Sequence, residues 1–138
     1  MNEETLRTII VDGNAEETVR TAEALGKDLA GRYGLSTNQI RNIFGTVRRI
    51  EMGWPDTPQD EAGIKAAAQS YRELQLLKPK MAYQAKREGG RGSAGVETLT
   101  RVLTQAIDLV GNDRQRFQHF VDFFEATLAY HKFHGGKS

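Results

Sequence analysis

From Ala15 onward the apolar residues recur at intervals of three and four, the spacing that gathers them on one side of an α-helix. Val19, Ala22, Leu25, Leu29 and Tyr33 predict a first helix over about Ala15 to Tyr33, with Gly34 as its stop. Ser36 stands three residues ahead of Gln39, a pairing in which each side chain can satisfy a backbone group at a helix start. The helix beginning there turns Ile40, Ile43, Phe44, Val47 and Ile50 inward and leaves Arg41, Gly45, Arg48 and Arg49 mainly on the other side. Gly53-Trp54-Pro55-Asp56-Thr57-Pro58 breaks it, because two prolines and a glycine do not sustain the hydrogen-bond ladder. A third helix from about Gln59 carries Ile64, Ala67, Ala68, Tyr71, Leu74 and Leu77 on its apolar face. Pro79 then either starts a new helix at its first turn or kinks the old one, and a break near Lys78 is expected, with a short continuation that turns Met81, Ala82 and Ala85 inward. Gly89-Gly90-Arg91-Gly92-Ser93 reads as a mobile basic loop.

Leu99, Val102, Leu103, Ala106 and Val110 predict a further helix from about Val96 to Val110, ended by Gly111, and Asn112 or Asp113 caps the last one. That last helix is apolar on two sides, with Phe117, Phe120, Val121, Phe124 and Leu128 on one and Phe123, Ala126, Tyr130 and Phe133 on the other. A helix of this kind has two neighbours, so the second stripe is expected in the core or in a seam between subunits. The whole reads as an all-α protein, a compact bundle of about five to six helices formed by residues 15–136. Only Thr8 to Val11 looks like a strand, and it is too short and isolated to make a sheet. Residues 1–14, closing on the turn chemistry of Asp12-Gly13-Asn14, are expected as a flexible or loosely docked acidic lead-in. Trp54 reads first as a lid on the core and second as an exposed subunit contact.

Composition narrows the classes. At 138 residues, with 38% hydrophobic and 27% charged residues, the chain has the size and balance of one soluble globular domain. The absence of cysteine removes disulfides, thiolate metal sites and a thiol nucleophile together. Acidic residues stand where a signal peptide needs a basic start, and no apolar run approaches a membrane span, so a cytoplasmic protein is expected. The net charge is only +1, but its placement is uneven. Residues 1–31 hold the acids Glu3, Glu4, Asp12, Glu16, Glu17, Glu23 and Asp28 against Arg7, Arg20 and Lys27, whereas 78–91 holds five cations against Glu88.

Those cations are the candidate site. Arg41, Arg48 and Arg49 lie along one helix, with Gly45 between them leaving room for a phosphate backbone, and arginine suits phosphate through bidentate, charge-assisted bonds. A solvated helix face is the plainer account of the same pattern. Lys78, Lys80, Lys86, Arg87 and Arg91 form a second cluster that can follow a nucleic-acid backbone without reading its sequence. Tyr83 within it reads first as a core or half-buried tyrosine and second as a base-stacking ring. Lys132 and His131 complement the dipole at the end of the last helix and are also placed to meet RNA or a neighbouring subunit. His119, Asp122 and Glu125 recur at three-residue spacing, but no HExxH or comparable set accompanies them, so no metal and no other cofactor is predicted. The glycine run near residue 90 lacks the Lys-Ser/Thr of a phosphate-binding loop.

Three stretches, taken together in their order and spacing, resemble the small subunit of the type III-A CRISPR effector, the Csm complex. They are Leu35 to Arg49 (LSTNQIRNIFGTVRR), Leu77 to Arg87 (LKPKMAYQAKR) and Phe117 to Gly136 (ending FFEATLAYHKFHGG). The resemblance covers roughly residues 30–136. It implies a small helical bundle without an active site, repeated in several copies beside the subunits that hold the guide RNA. The implied partners are guide RNA and target RNA, the large and backbone subunits, and other copies of itself, with basic residues holding the strands and catalysis belonging to other subunits. Two further readings follow from the residues alone: a helical protein-interaction module whose basic face meets acidic proteins, and a small metal-dependent hydrolase built on His119, Asp122 and Glu125.

Overall fold

The computed structural model describes residues 2–87 and 93–136, Ser93 by its backbone alone. Side-chain caps set where several helices begin. Asn2 accepts from the Thr5 amide at 2.8 Å and starts α1 (Glu3–Ile10), and Asn14 accepts from Glu17 at 2.9 Å and starts α2 (Ala15–Ala30). The Ser36 and Gln39 pair forms the reciprocal box expected of it and starts α3 (Thr37–Gly53). After α4 (Glu61–Arg87) and α5 (Ser93–Val110), Asp113 accepts from the Arg116 amide at 3.0 Å and starts α6 (Arg114–Phe133). No strand occurs among the described residues, so the fold is all-α.

The centre is α6, which touches α1, α2, α3 and α5, while α4 packs outside them against α3 and α5. Phe117, Phe120, Phe123 and Phe124 are all fully buried. Trp54 closes one end of this column, its ring stacked 4.8 Å from that of Phe117, and Arg114 Nε donates to the Trp54 carbonyl at 3.1 Å. Phe44 meets Phe124 edge to face at 5.1 Å. The buried apolar residues make one cluster that runs from Leu6 to Phe124.

Three sequence expectations are corrected here. Residues 3–10 are not a loosely docked lead-in: α1 buries Leu6, Ile9 and Ile10 completely, and His119 Nδ1 donates to the Ile10 carbonyl at 2.8 Å. Eight residues do not hold a helix alone, and the β-branched Thr8-Ile9-Ile10-Val11 run has low helical propensity, so this helix exists because tertiary packing covers its apolar side. Second, α4 runs unbroken through Pro79. Pro79 is exposed and costs the helix a hydrogen bond, but Leu74 and Leu77 before it and Met81 and Ala85 after it are buried along one face. Among the described residues a helix count of six therefore results from one element gained at the start and two merged in the middle. Third, Val19, Ile64, Ala68 and Ala82, expected inward, are exposed, as is Phe133 of the second stripe on the last helix, because a regular period marks a stripe and the neighbouring helices cover only part of it.

Glycines allow the closest helix approach. A Cβ on Gly26 of α2 would lie 2.7 Å from the His131 amide nitrogen and 2.8 Å from the Thr127 carbonyl oxygen of α6, whereas one on Gly45 would meet nothing. Gly26→Ala is therefore expected to lower stability by about 1–3 kcal/mol, while Gly45→Ala raises it by about 0.5–1 kcal/mol, both read from urea midpoints. Ile9→Ala is expected to cost about 2–5 kcal/mol, as for a core residue; a cost near zero would return residues 1–14 to a loosely docked segment.

Candidate nucleic-acid interface

The helix pairings decide which cations share a face. Gly53 lies against Ser70, and Asn42 and Thr46 share a groove with Lys80 and Tyr83, so α3 and α4 run antiparallel. The stretch of α3 that includes Asn42, Thr46 and Arg49 returns every three or four residues to the side facing this groove. On α4 the same rule brings Lys80, Tyr83, Gln84 and Arg87 to it. The result is a groove of about 310 Å³, floored by the buried Ile43 and Leu77 and edged by two cations, three neutral polar side chains and one aromatic ring, with no acid among the described residues. A larger concavity between α1, α2 and α5, about 730 Å³, has the opposite character, since Glu17 and Asp28 there stand beside Arg20 and Arg101.

The second basic cluster of the sequence is therefore split. Lys80 and Arg87 face the groove and make no ion pair among the described residues. Lys78 turns the other way and bonds Asp108 of α5, with only 25% of its side chain exposed, so its charge joins two helices. Lys86 also faces α5, in a shallow hollow shared with Glu97 and Arg101. Arg91 lies outside the described residues. Tyr83 departs from the half-buried reading: it is 65% exposed, and the Arg87 guanidinium lies 5.9 Å from its ring centre. The signal for this was available, because Tyr83 sits two residues from Met81 and two from Ala85, and a helix that buries both turns the position between them outward.

On α3, Arg41 and Arg48 are seven residues apart and share a stripe next to the groove face, with the open Gly45 between them. Arg41 is exposed, whereas Arg48 already holds Glu51 at 2.5 Å. Arg49 is exposed on the groove side of that stripe. Lys132 is exposed in the last turn of α6. Buried His131 of that turn donates through Nε2 to the Leu35 carbonyl at 2.6 Å, and Gly95 lies against Leu35. The starts of α3 and α5 and the end of α6 thus meet at one end of the bundle. Gln84, near the end of α4, lines a hollow there with Gln39 and Val96.

The residues weighed as metal ligands are not brought together. His119 is turned onto the Ile10 carbonyl, Asp122 accepts from Gln118 at 3.1 Å, and no group of three or more such side chains that could hold a metal ion occurs among the described residues. No helix among the described residues is long and apolar enough to cross a membrane.

Comparison with known proteins bears on the whole of this surface. The family model described as Csm2 Type III-A matches residues 12–137, a span that takes in both edges of the groove and leaves α1 outside. The chain is also similar to the CRISPR system Cms protein Csm2 of Streptococcus thermophilus, with 28% identity over 131 residues, which is 94% of this chain and 98% of that protein. No solved structure matches. With the family model matching nearly the entire chain and the helical architecture its sequence predicts, this protein belongs to the Csm2 type III-A family, the small subunit of the Csm complex.

Proposed function

We propose that this chain is a non-catalytic, RNA-binding subunit of its complex in the cytoplasm, several copies of which align so that their cationic faces hold target RNA and the guide duplex. Its protein partners are other copies of itself and the large and backbone subunits. The observation that carries the RNA reading is the groove between α3 and α4, where Lys80 and Arg87 stand over an apolar floor and no acid lines the groove among the described residues. Cations over a groove of this kind attract any phosphate backbone, independent of base sequence, and release its counterions. Arg49 and Arg41 extend the same charge along α3, and Lys132 adds to it at the end of α6. Arg48 contributes less, because Glu51 already neutralises part of its field. Lys86 contributes at the α5 side, and Lys78 chiefly holds α4 to α5.

A single copy offers few phosphate contacts, so its binding is weak and salt-sensitive, and alignment of copies raises the effective concentration of each next site. Single-stranded RNA titrated by fluorescence anisotropy across a salt series tests this. Lys80→Gln with Arg87→Gln is expected to weaken binding and to flatten the log–log salt slope by roughly 1.4, two contacts at about 0.7 each. Lys78→Gln is expected to leave that slope in place and to cost at most about 1 kcal/mol of stability. Equal binding by all three proteins, or tighter capture of an acidic protein that RNA fails to displace, would make the basic face a protein-docking surface instead.

A further inference from the structure

Phosphate attraction explains the lysine and the arginine of the groove but not the tyrosine between them. Tyr83 is 65% exposed and flanked by two cations, on a helix that buries Leu74, Leu77 and Met81 and leaves Leu76 partly in water. With most of its ring still in water, Tyr83 contributes little to folding. Its surroundings are specific. Lys80 lies one turn before it and Arg87 one turn after, the two cations separated by about 10 Å along the helix axis. Across the groove, Asn42 and Thr46 present an amide and a hydroxyl, and Gln84 adds a second amide from the same helix.

We infer that Tyr83 is a stacking platform for one unpaired base, with Lys80 and Arg87 taking the phosphates on either side of that nucleotide. The inference rests on the RNA reading above and makes it more specific: the groove takes a nucleotide that has left the stack, not a paired one. A duplex shows a protein only its backbone and groove edges, so an aromatic face has nothing to stack on there, whereas an unpaired base offers its whole π surface. The Arg87 guanidinium occupies one face of the ring at most and is itself a plane on which a base can lie. The neutral Asn42, Thr46 and Gln84 suit the sugar hydroxyl and base edges, for which charge is not required. The volume of about 310 Å³ accommodates one nucleoside rather than a continuous helix of nucleic acid.

The test uses the full chain, with Tyr83→Leu, Tyr83→Phe and the Lys80→Gln, Arg87→Gln double variant. The probes are a single-stranded RNA, the same strand with abasic positions, and an RNA duplex. Far-UV circular dichroism and urea midpoints report whether each variant folds, which an exposed position permits. On the base-bearing strand, Tyr83→Leu is expected to bind about 5- to 100-fold more weakly with an unchanged salt slope, and Tyr83→Phe within about twofold of wild type. On the abasic strand and the duplex, Tyr83→Leu and wild type are expected to bind alike. If Tyr83→Leu binds the base-bearing strand as well as wild type while the cation variant is weakened, stacking is overturned and phosphate binding in the groove stands. If wild type binds no strand at low salt and high protein concentration, the RNA reading itself fails, and the inference with it.

Discussion

Phe117, Phe120, Phe123 and Phe124 must leave water on more than one side of α6 at once, and no single neighbouring helix can cover them all. Burying a phenylalanine side chain is worth about 1.5–3 kcal/mol, so exposing even one or two of these would consume much of the margin by which a small domain is stable. The chain meets that demand by surrounding α6 with α1, α2, α3 and α5. Other features follow from it. Gly26 lets α2 come close enough to touch the α6 backbone, Trp54 leaves α3 to stack on Phe117, and α1 forms as a helix because it has a place in the shell.

With four helices committed to α6, α4 is left outside, resting on α3 and α5. A helix in that position buries one face and offers the others to solvent. Its buried face, Leu74, Leu77, Met81 and Ala85, is continuous across Pro79, which is why a residue that usually ends a helix does not end this one. The same geometry sets the character of the groove. The residues flanking the buried face on the α3 side are Lys80, Gln84 and Arg87, and those on the α5 side are Lys78 and Lys86, so cations adjacent in sequence are assigned to opposite sides of one helix.

Charge alone would have ranked these residues together. The structure separates those whose charge is spent within the fold from those with no ion pair among the described residues: Lys78 with Asp108 and Arg48 with Glu51 belong to the first kind, Lys80, Arg49 and Arg41 to the second. Ion pairs of this exposure contribute little to stability, but they matter for partners, because a neutralised cation attracts a phosphate less. The acidic residues of the first 31 positions lie on α1, α2 and the turns beside them, away from the α3 and α4 groove.

The all-α class, the Ser36 cap, the stop at Gly111, the burial of Phe117, Phe120, Phe123 and Phe124 and the family were all legible in the sequence, because each depends on neighbours three or four residues away or on a motif that reads along the chain, whereas the first predicted helix ends at Ala30, short of the Gly34 stop expected for it. Three things depended on contacts between residues far apart. α1 is helical only because Leu6, Ile9 and Ile10 find cover, Pro79 is spanned only because the faces on both sides of it are held, and Tyr83 is exposed only because Met81 and Ala85 take the places in the core. Local pattern specifies what a segment can become; which of its faces meets water is decided by the helices that arrive against it, and the groove between α3 and α4 exists only in that final arrangement.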